Sequence, residues 1–116
     1  MQKQKLTNNI NITYLHSNAQ DLHSWIAIDS QNIVVGHIFM QVEKDNKIKF
    51  LDAWVSENNR RQGIFKMLWE TRWEFVLDNY KNYNVYAWCK DNSLQFVLSK
   101  GFVAGERATY VERKVS

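Results

Sequence analysis

The sequence predicts a mixed α/β (α+β) fold, in which an antiparallel meander of strands leads into alternating helices and strands. Residues 11–55 consist of short runs rich in β-branched and aromatic side chains, separated by polar turns. From Gln62 the hydrophobic pattern takes a helical period, and near Val85 it becomes a strand pattern again. The predicted element order is therefore β-β-β-β-α-β-α-β.

Four strands are predicted in the first half of the chain, at residues 11–15, 24–28, 33–42 and 47–55. The segments between them are rich in Asn, Asp, Gln and Ser, which favour turns. Short turns join neighbouring strands in antiparallel pairs. These four strands should therefore form a meander.

A long helix is predicted over residues 62 to about 80, because Lys66, Glu70, Glu74 and Asp78 form a polar stripe every four residues. The remaining arc is mostly apolar, as in a helix laid across a sheet. Since this helix connects the fourth strand to a fifth at residues 85–89, those two strands should run parallel.

A second, short helix is predicted after the polar cluster at residues 91–93, which is typical of an N-cap. It should end near Ser99, because Gly101 suits the position just beyond a helix. Residues 102–103 and 109–115 have strand character and complete the predicted sheet.

The composition indicates a single domain spanning residues 1–116, with residues 1–9 flexible. Hydrophobic residues make up 45% and charged residues 23% of the 116, as in an ordinary globular protein. One cysteine, no signal-peptide pattern and no membrane-length apolar run predict a cytoplasmic protein without membrane contact. We interpret the net charge of +3 as a mixed-sign surface, because the basic residues are too dispersed for a nucleic-acid site.

Residues 55–68 carry the strongest functional signal, since a strand ends there, a polar loop follows and a helix opens near Gly63. The first amides of a helix lack internal partners and bind anions. Arg60, Arg61 and Lys66 add positive charge. The pattern favours a phosphorylated ligand, although a solvated basic loop with a glycine that eases the turn gives the same spacing.

The same segment resembles motif A of the GNAT N-acetyltransferase superfamily, with Arg60 at the Gln/Arg position and Gly63 at the first glycine. Residues 91–94 (Asp-Asn-Ser-Leu) and 98–102 (Leu-Ser-Lys-Gly-Phe) resemble motif B. The resemblance covers residues 33 to about 103 and implies a splay between the fourth and fifth strands. Two departures are Glu57 for the usual proline and Phe65 for the second Gly/Ala, and the family's two N-terminal helices are missing.

The resemblance implies an acetyl-CoA-dependent N-acetyltransferase that acts on a primary amine, with no metal. The amides near the helix start would hold the pyrophosphate, the fourth strand would pair with the pantetheine arm, and an asparagine of motif B would contact that arm. The implied cofactor-binding residues are Trp54, Val55, Ser56, Arg60, Arg61, Gln62, Gly63, Ile64, Phe65, Lys66 and Asn92.

Catalytic residues are less marked in the sequence. A strand N–H near Val55 could stabilise the oxyanion. Asp52 is a candidate base, and equally an exposed strand carboxylate. The usual general-acid tyrosine is missing from motif B, so Ser99 or a tyrosine from elsewhere, Tyr110 or Tyr86, would replace it.

The remaining aromatic and nucleophilic residues are interpreted as structural. Trp54 and Trp88 are predicted to be core residues rather than walls of an acceptor pocket. Cys89 is predicted to be a buried core thiol. His37 should be a packing or surface residue, and no His/Cys/Asp spacing suggests a metal site.

Two other functions remain open: a domain of the same fold that binds an acyl-CoA or a protein partner without turnover, and, ranked last, a nucleic-acid-binding or nucleic-acid-modifying protein. The short N-terminal part suits a large acceptor, such as a protein side chain. It also suits a homodimer that completes the pocket.

Overall fold

A seven-stranded mixed sheet forms the centre of the structure, a computed structural model that describes residues 9–89, 91–105 and 110–115. Of residues 1–9, which are predicted to be flexible, residues 1–8 lie outside the described residues. Along the sheet the strand order is β1-β2-β3-β4-β5-β7-β6. The strands are β1 (Asn11–Ser17), β2 (Leu22–Ile28), β3 (Val34–Glu43), β4 (Lys47–Val55), β5 (Asn84–Trp88), β6 (Val103–Ala104) and β7 (Tyr110–Lys114).

Two helices, α1 (Ile64–Asn79) and α2 (Asp91–Ser99), follow β4 and β5. α1 begins two residues later than predicted, because Gly63 has a φ of 83° and forms the N-cap rather than part of the first turn. α2 begins at Asp91 itself, so the predicted cap cluster lies inside its first turn. Neither helix of the described chain is long and apolar enough to cross a bilayer.

The pairing of β4 with β5 is parallel, as the crossover helix predicted, and it is short. It runs from Lys47 opposite Asn84 to Phe50 opposite Ala87. Beyond Phe50, β4 continues through residues 51–55, and among the described residues β3 is its only strand neighbour there. The sheet therefore opens into a gap between the carboxyl ends of β4 and β5, which confirms the expected splay.

A bulge distorts β4 where the gap begins. Ile38 of β3 pairs with Ala53 and Met40 pairs with Phe50, so Phe39 alone faces two residues, Leu51 and Asp52. Such bulges bend a strand and re-aim its side chains. The bulge lies where the pairing of β4 with β5 ends.

The core lies between the sheet and the helices. Phe75 of α1 contacts Trp25 of β2, and Phe50 of β4 packs edge-on against Trp69 of α1. α2 lies on the same side as α1, since Phe96 contacts Trp69. Both helices therefore cover one face of the sheet, which we call the inner face.

The opposite, outer face is uncovered in the described part of the chain. A turn at residues 18–21 joins β1 to β2, so no helix intervenes there, as expected. Ring stacking groups His37, Phe39 and Trp54 on this face, and none of the three is buried. The outer face is thus open at the end of β4.

Candidate functional site

The amino end of α1 has backbone N–H groups without a side-chain cap. The N–H groups of Ile64, Phe65 and Lys66 belong to the first turn, where an α-helix offers no internal acceptor. No side chain caps the helix at Gly63, and no acidic residue lies in the first turn. These amides therefore present a patch of partial positive charge.

Basic side chains extend this patch into the preceding loop. Arg61 and Lys66 are exposed. Arg61 has a φ of 65°, so the chain turns sharply just before Gly63. Gln62, between them, is partly exposed. The Arg60 Nε donates a hydrogen bond of 3.0 Å to the Val55 carbonyl, which ties the loop back to the end of β4.

At the end of β4, a backbone N–H group points into the gap and can donate a hydrogen bond to a ligand. The Ser56 N–H donates to the Val35 carbonyl of β3 at 2.8 Å. Because neighbouring amides of a strand alternate in direction, the Val55 N–H points away from β3. The Val55 carbonyl already accepts from Arg60, so at this residue a ligand in the gap meets the N–H alone unless Arg60 moves.

The Phe65 ring turns towards α2 and not into the loop. Its centroid lies 4.9 Å from that of Phe96 and 6.3 Å from that of Trp69. The ring that replaces the expected glycine or alanine therefore fills space between the two helices. The Phe65 amide remains in the first turn of α1.

The interpretation of Trp54 and Trp88 as core residues is wrong. Trp54 is 41% exposed and Trp88 is 52% exposed. Ala87 is buried, so the next residue, Trp88, lies on the outer face, and Trp54 stacks on His37 on the same face. Nothing in the described part of the chain covers these two rings. A shallow pocket beside Trp54 is also lined by His37, Asp52 and Ala53. The tryptophans therefore flank the gap on the outer face.

The three predicted catalytic residues are not brought together. Asp52 is exposed, in the bulge of β4. The Tyr110 ring contacts Trp88 on the outer face, at a centroid distance of 4.9 Å. Ser99 ends α2 on the inner side, and its hydroxyl donates to the Phe96 carbonyl. Asp52 and Tyr110 thus share the outer face, whereas Ser99 belongs to the other side.

Two tyrosines of the outer face have raised pKa values. Desolvation by burial, helped by a 2.7 Å hydrogen bond to Glu43, raises the pKa of Tyr86 to about 12. Desolvation, together with a hydrogen bond to Glu112, raises the pKa of Tyr110. Both phenols are protonated at neutral pH and can donate a proton. The Tyr86 hydroxyl is held by Glu43, which lies at the far end of β3 from the gap.

The raised pKa of Tyr86 predicts an alkaline loss of stability. Above pH 10.0 the unfolded tyrosine ionises, whereas the folded one resists ionisation up to about pH 12. The contribution of Tyr86 to the free energy of unfolding should therefore be constant below pH 10.0 and decrease across that interval. In Tyr86→Phe the decrease in the free energy of unfolding over that interval should be shallower, as measured by urea titrations at several pH values. Equal slopes in both proteins would contradict the assignment.

Sequence reasoning missed Arg72, which is 1% exposed beneath the bulge. Its guanidinium lies 3.5 Å above the centre of the Phe50 ring and donates to the Phe39 carbonyl at 2.8 Å. Burial lowers the pKa of Arg72 well below its usual value, which the nearby Cys89 opposes. The sequence signal was available, since Arg72 departs from the polar stripe of α1.

Cys89 is buried at the end of β5, as predicted for a core thiol. Desolvation raises its pKa, against the effects of Ser93 and Arg72. A thiol with a raised pKa is a poor nucleophile at neutral pH. The side chain of Asn92, the predicted pantetheine contact, lies outside the described residues, although its backbone belongs to α2.

The chain is similar to known proteins in structure and not detectably in sequence. No protein-family model matches the sequence, and no curated protein does. A GNAT-family acetyltransferase from Staphylococcus aureus superposes with a TM-score of 0.70 and 18% identity, covering 84% of this chain and 70% of its own. The chain has the GNAT acetyltransferase fold. The order of strands and helices and the gap between β4 and β5 agree with the features that the motifs implied.

Two further structures with the GNAT fold differ in the share of their own length that the superposition covers. A GNAT-family N-acetyltransferase from Escherichia coli, in complex with CoA, has a TM-score of 0.68 and 14% identity, over 81% of this chain and 59% of its own. A protein from Lactobacillus plantarum assigned as an N-acetyltransferase has a TM-score of 0.71 and 9% identity, over 94% of this chain and 100% of its own. The GNAT fold is therefore shared at very low sequence identity.

Proposed function

We propose that the chain binds acetyl-CoA and transfers its acetyl group to a primary amine. One observation carries the proposal: the uncapped amino end of α1 lies directly after the strand that borders the β4–β5 gap. An open strand edge that is followed directly by an anion site suits a ligand with an extended amide-containing arm and a pyrophosphate. A structure with the same fold is in complex with CoA.

The ligand would be held by backbone more than by side chains. The pyrophosphate would accept hydrogen bonds from the amides of residues 61–66, with Arg60, Arg61 and Lys66 nearby. The pantetheine arm would run along β4 at residues 54–56. Asn92 of α2 is proposed as a further contact with the arm, and Gln62 as a contact in the loop.

Transfer would take place at the outer end of the gap. A neutral amine attacks the thioester carbonyl, forming a C–N bond and a tetrahedral oxyanion, which the Val55 N–H would stabilise. Asp52 would take the proton lost by the nitrogen, directly or through water. The C–S bond then breaks, and the leaving thiolate takes a proton, for which Tyr110 is the proposed donor because its phenol is protonated at neutral pH.

Ser99 is the alternative proton donor from motif B. Its hydroxyl donates to the Phe96 carbonyl, so it would have to leave that bond to act. A comparison of Tyr110→Phe with Ser99→Ala in a transfer assay separates the two assignments.

Acetyl-CoA should raise the melting temperature of the protein. A ligand that binds only the folded state stabilises it by about 2.7 kcal/mol at a hundredfold excess over its dissociation constant. Differential scanning fluorimetry with acetyl-CoA, free CoA and ADP tests this. Free CoA should act almost as well, because the pyrophosphate and the arm supply most contacts. No shift with either CoA species at millimolar concentration would contradict the cofactor proposal.

A domain that binds an acyl-CoA without transfer is the second candidate. The observation in its favour is the Phe65 ring, which packs against Phe96 between the two helices. Measurement of free thiol across a panel of amines, including a lysine peptide, separates the two. Thiol release in wild type that decreases in Asp52→Asn supports transfer, whereas CoA binding without release supports the second candidate.

A large acceptor fits the open outer face best. The pocket near Trp54 is shallow and has Asp52 at its edge, so an amine presented on a protein surface could enter it. A homodimer would cover the same face. Light scattering tests the homodimer, since a mass equal to one chain excludes it.

A further inference from the structure

Three residues at the β1–β2 turn form a cluster that the proposed reaction does not use. His16 and His23 lie directly opposite each other in register, and their rings stack at a centroid distance of 4.1 Å. Asp21 belongs to the turn between them. Its Oδ1 atom lies 2.8 Å from His16 Nε2 and 2.9 Å from His23 Nε2. One carboxylate oxygen is thus shared by two imidazole nitrogens.

The His23 ring is fixed in this orientation. His23 is 2% exposed, and its Nδ1 lies 2.7 Å from the Tyr14 hydroxyl. The Phe75 ring packs against the imidazole at 5.3 Å, and the Tyr80 hydroxyl lies 3.5 Å from Nε2. Imidazoles that bind metal ions usually have a hydrogen-bond partner at their second nitrogen, as His23 has in the Tyr14 hydroxyl.

We propose that His16, Asp21 and His23 bind a divalent transition metal, with Zn²⁺ the best match to two imidazoles and one carboxylate. Their candidate ligand atoms all lie within 4.8 Å of one another. Tetrahedral bonds of about 2.0 Å separate ligand atoms by about 3.3 Å, so the short contacts would open by about 0.4 Å. The proton on His23 Nε2 would move to Nδ1, and the Nδ1–H would donate a hydrogen bond to the Tyr14 hydroxyl oxygen.

Exposure at the cluster leaves room for water as the fourth ligand. The His16 and Asp21 side chains are 32% and 44% exposed. Three protein ligands and a water are typical of an open zinc site. The sequence spacing did not reveal the cluster, because the cross-strand register of β1 and β2, rather than a helix, brings His16 to His23.

The metal site is remote from the amino end of α1. Tyr80 follows the last residue of α1, which has 16 residues and so extends about 24 Å. The metal would fasten the β1–β2 turn and would not take part in transfer. Metal binding can therefore be measured independently of acetyl-CoA binding.

Titration of the chelator-stripped, tag-free full chain with ZnCl₂ tests the proposal, by calorimetry and by melting temperature. We expect one Zn²⁺ per chain and a rise in melting temperature that EDTA reverses. His16→Ala and Asp21→Asn, both at exposed side chains, should each weaken binding at least tenfold. His37→Ala is the matched control, since the chain has three histidines and His37 lies outside the cluster.

A second variant tests whether the hydrogen bond that orients His23 contributes to metal binding. Tyr14→Phe keeps all three ligands but removes the partner of His23 Nδ1, and it should weaken Zn²⁺ binding about tenfold. Co²⁺ should give visible absorption bands in wild type that His16→Ala removes. The proposal is overturned if wild type binds no Zn²⁺, if His16→Ala and Asp21→Asn bind as wild type does, or if His37→Ala loses binding to the same extent.

Discussion

Replacing Gly63 with tryptophan should remove the thermal stabilisation by acetyl-CoA while the chain still folds. Gly63 is exposed and precedes the three unpartnered amides of α1. An indole at this position would cover those amides, and a pyrophosphate could no longer approach them. We expect the dissociation constant to rise at least a hundredfold, which corresponds to a loss of about 2.7 kcal/mol. Calorimetry against CoA measures it.

Gly63→Ala controls for backbone strain. The φ of 83° at Gly63 is unfavourable for any side chain, so both variants lose stability, by about 1 kcal/mol for alanine. The methyl group leaves the amides accessible, however, and Gly63→Ala should retain most of its CoA affinity. Equal loss of affinity in both variants would show that the loop conformation, rather than access to the amides, controls binding.

Arg72→Ala should lower the free energy of unfolding by about 3 kcal/mol, as large-to-small substitutions in a packed core do. Arg72 is 1% exposed, and its removal leaves a cavity against Phe50 and Trp69. The Phe39 carbonyl also loses its donor at the bulge. Urea unfolding followed by tryptophan fluorescence measures the change.

Arg72→Met separates the volume of the side chain from its charge. Methionine fills most of the same space without a buried charge, and removing a buried charge recovers its desolvation cost. The methionine variant should therefore be clearly more stable than Arg72→Ala. A free energy of unfolding for Arg72→Ala within about 0.5 kcal/mol of wild type would refute a structural role for the guanidinium.

The fold was predictable because each element carries its own local signal. Alternation in residues 47–55 indicated β4, and the four-residue spacing that begins at Lys66 indicated α1. A helix between two strands then required parallel pairing, which the structure shows. The bulge opposite Phe39 was not predictable, since it depends on the register between two strands and not on the composition of either.

The site was predictable in part. The uncapped start of α1 follows from Gly63 and the basic loop, whereas the exposure of Trp54 and Trp88 depends on which face of the sheet lacks a helix. Which face lacks a helix depends on how all the strands and helices are connected, and no local segment of the sequence indicates it. Arg72 resembles a surface residue in the sequence, and its burial follows only from the packing of α1 on β3 and β4.

The short turn between β1 and β2 bears on which acceptor the proposed transferase could use. Pockets for small molecules bury most of the ligand surface, which requires walls on several sides. On the outer face of this sheet, the described residues that line the pocket beside Trp54 all belong to β3 and β4. A small amine would bury little area there and would be held weakly. If the amine lies on a macromolecule, the surface around it would cover the open side of the pocket. The residues around the amine, as much as the amine itself, would then determine which acceptor is used.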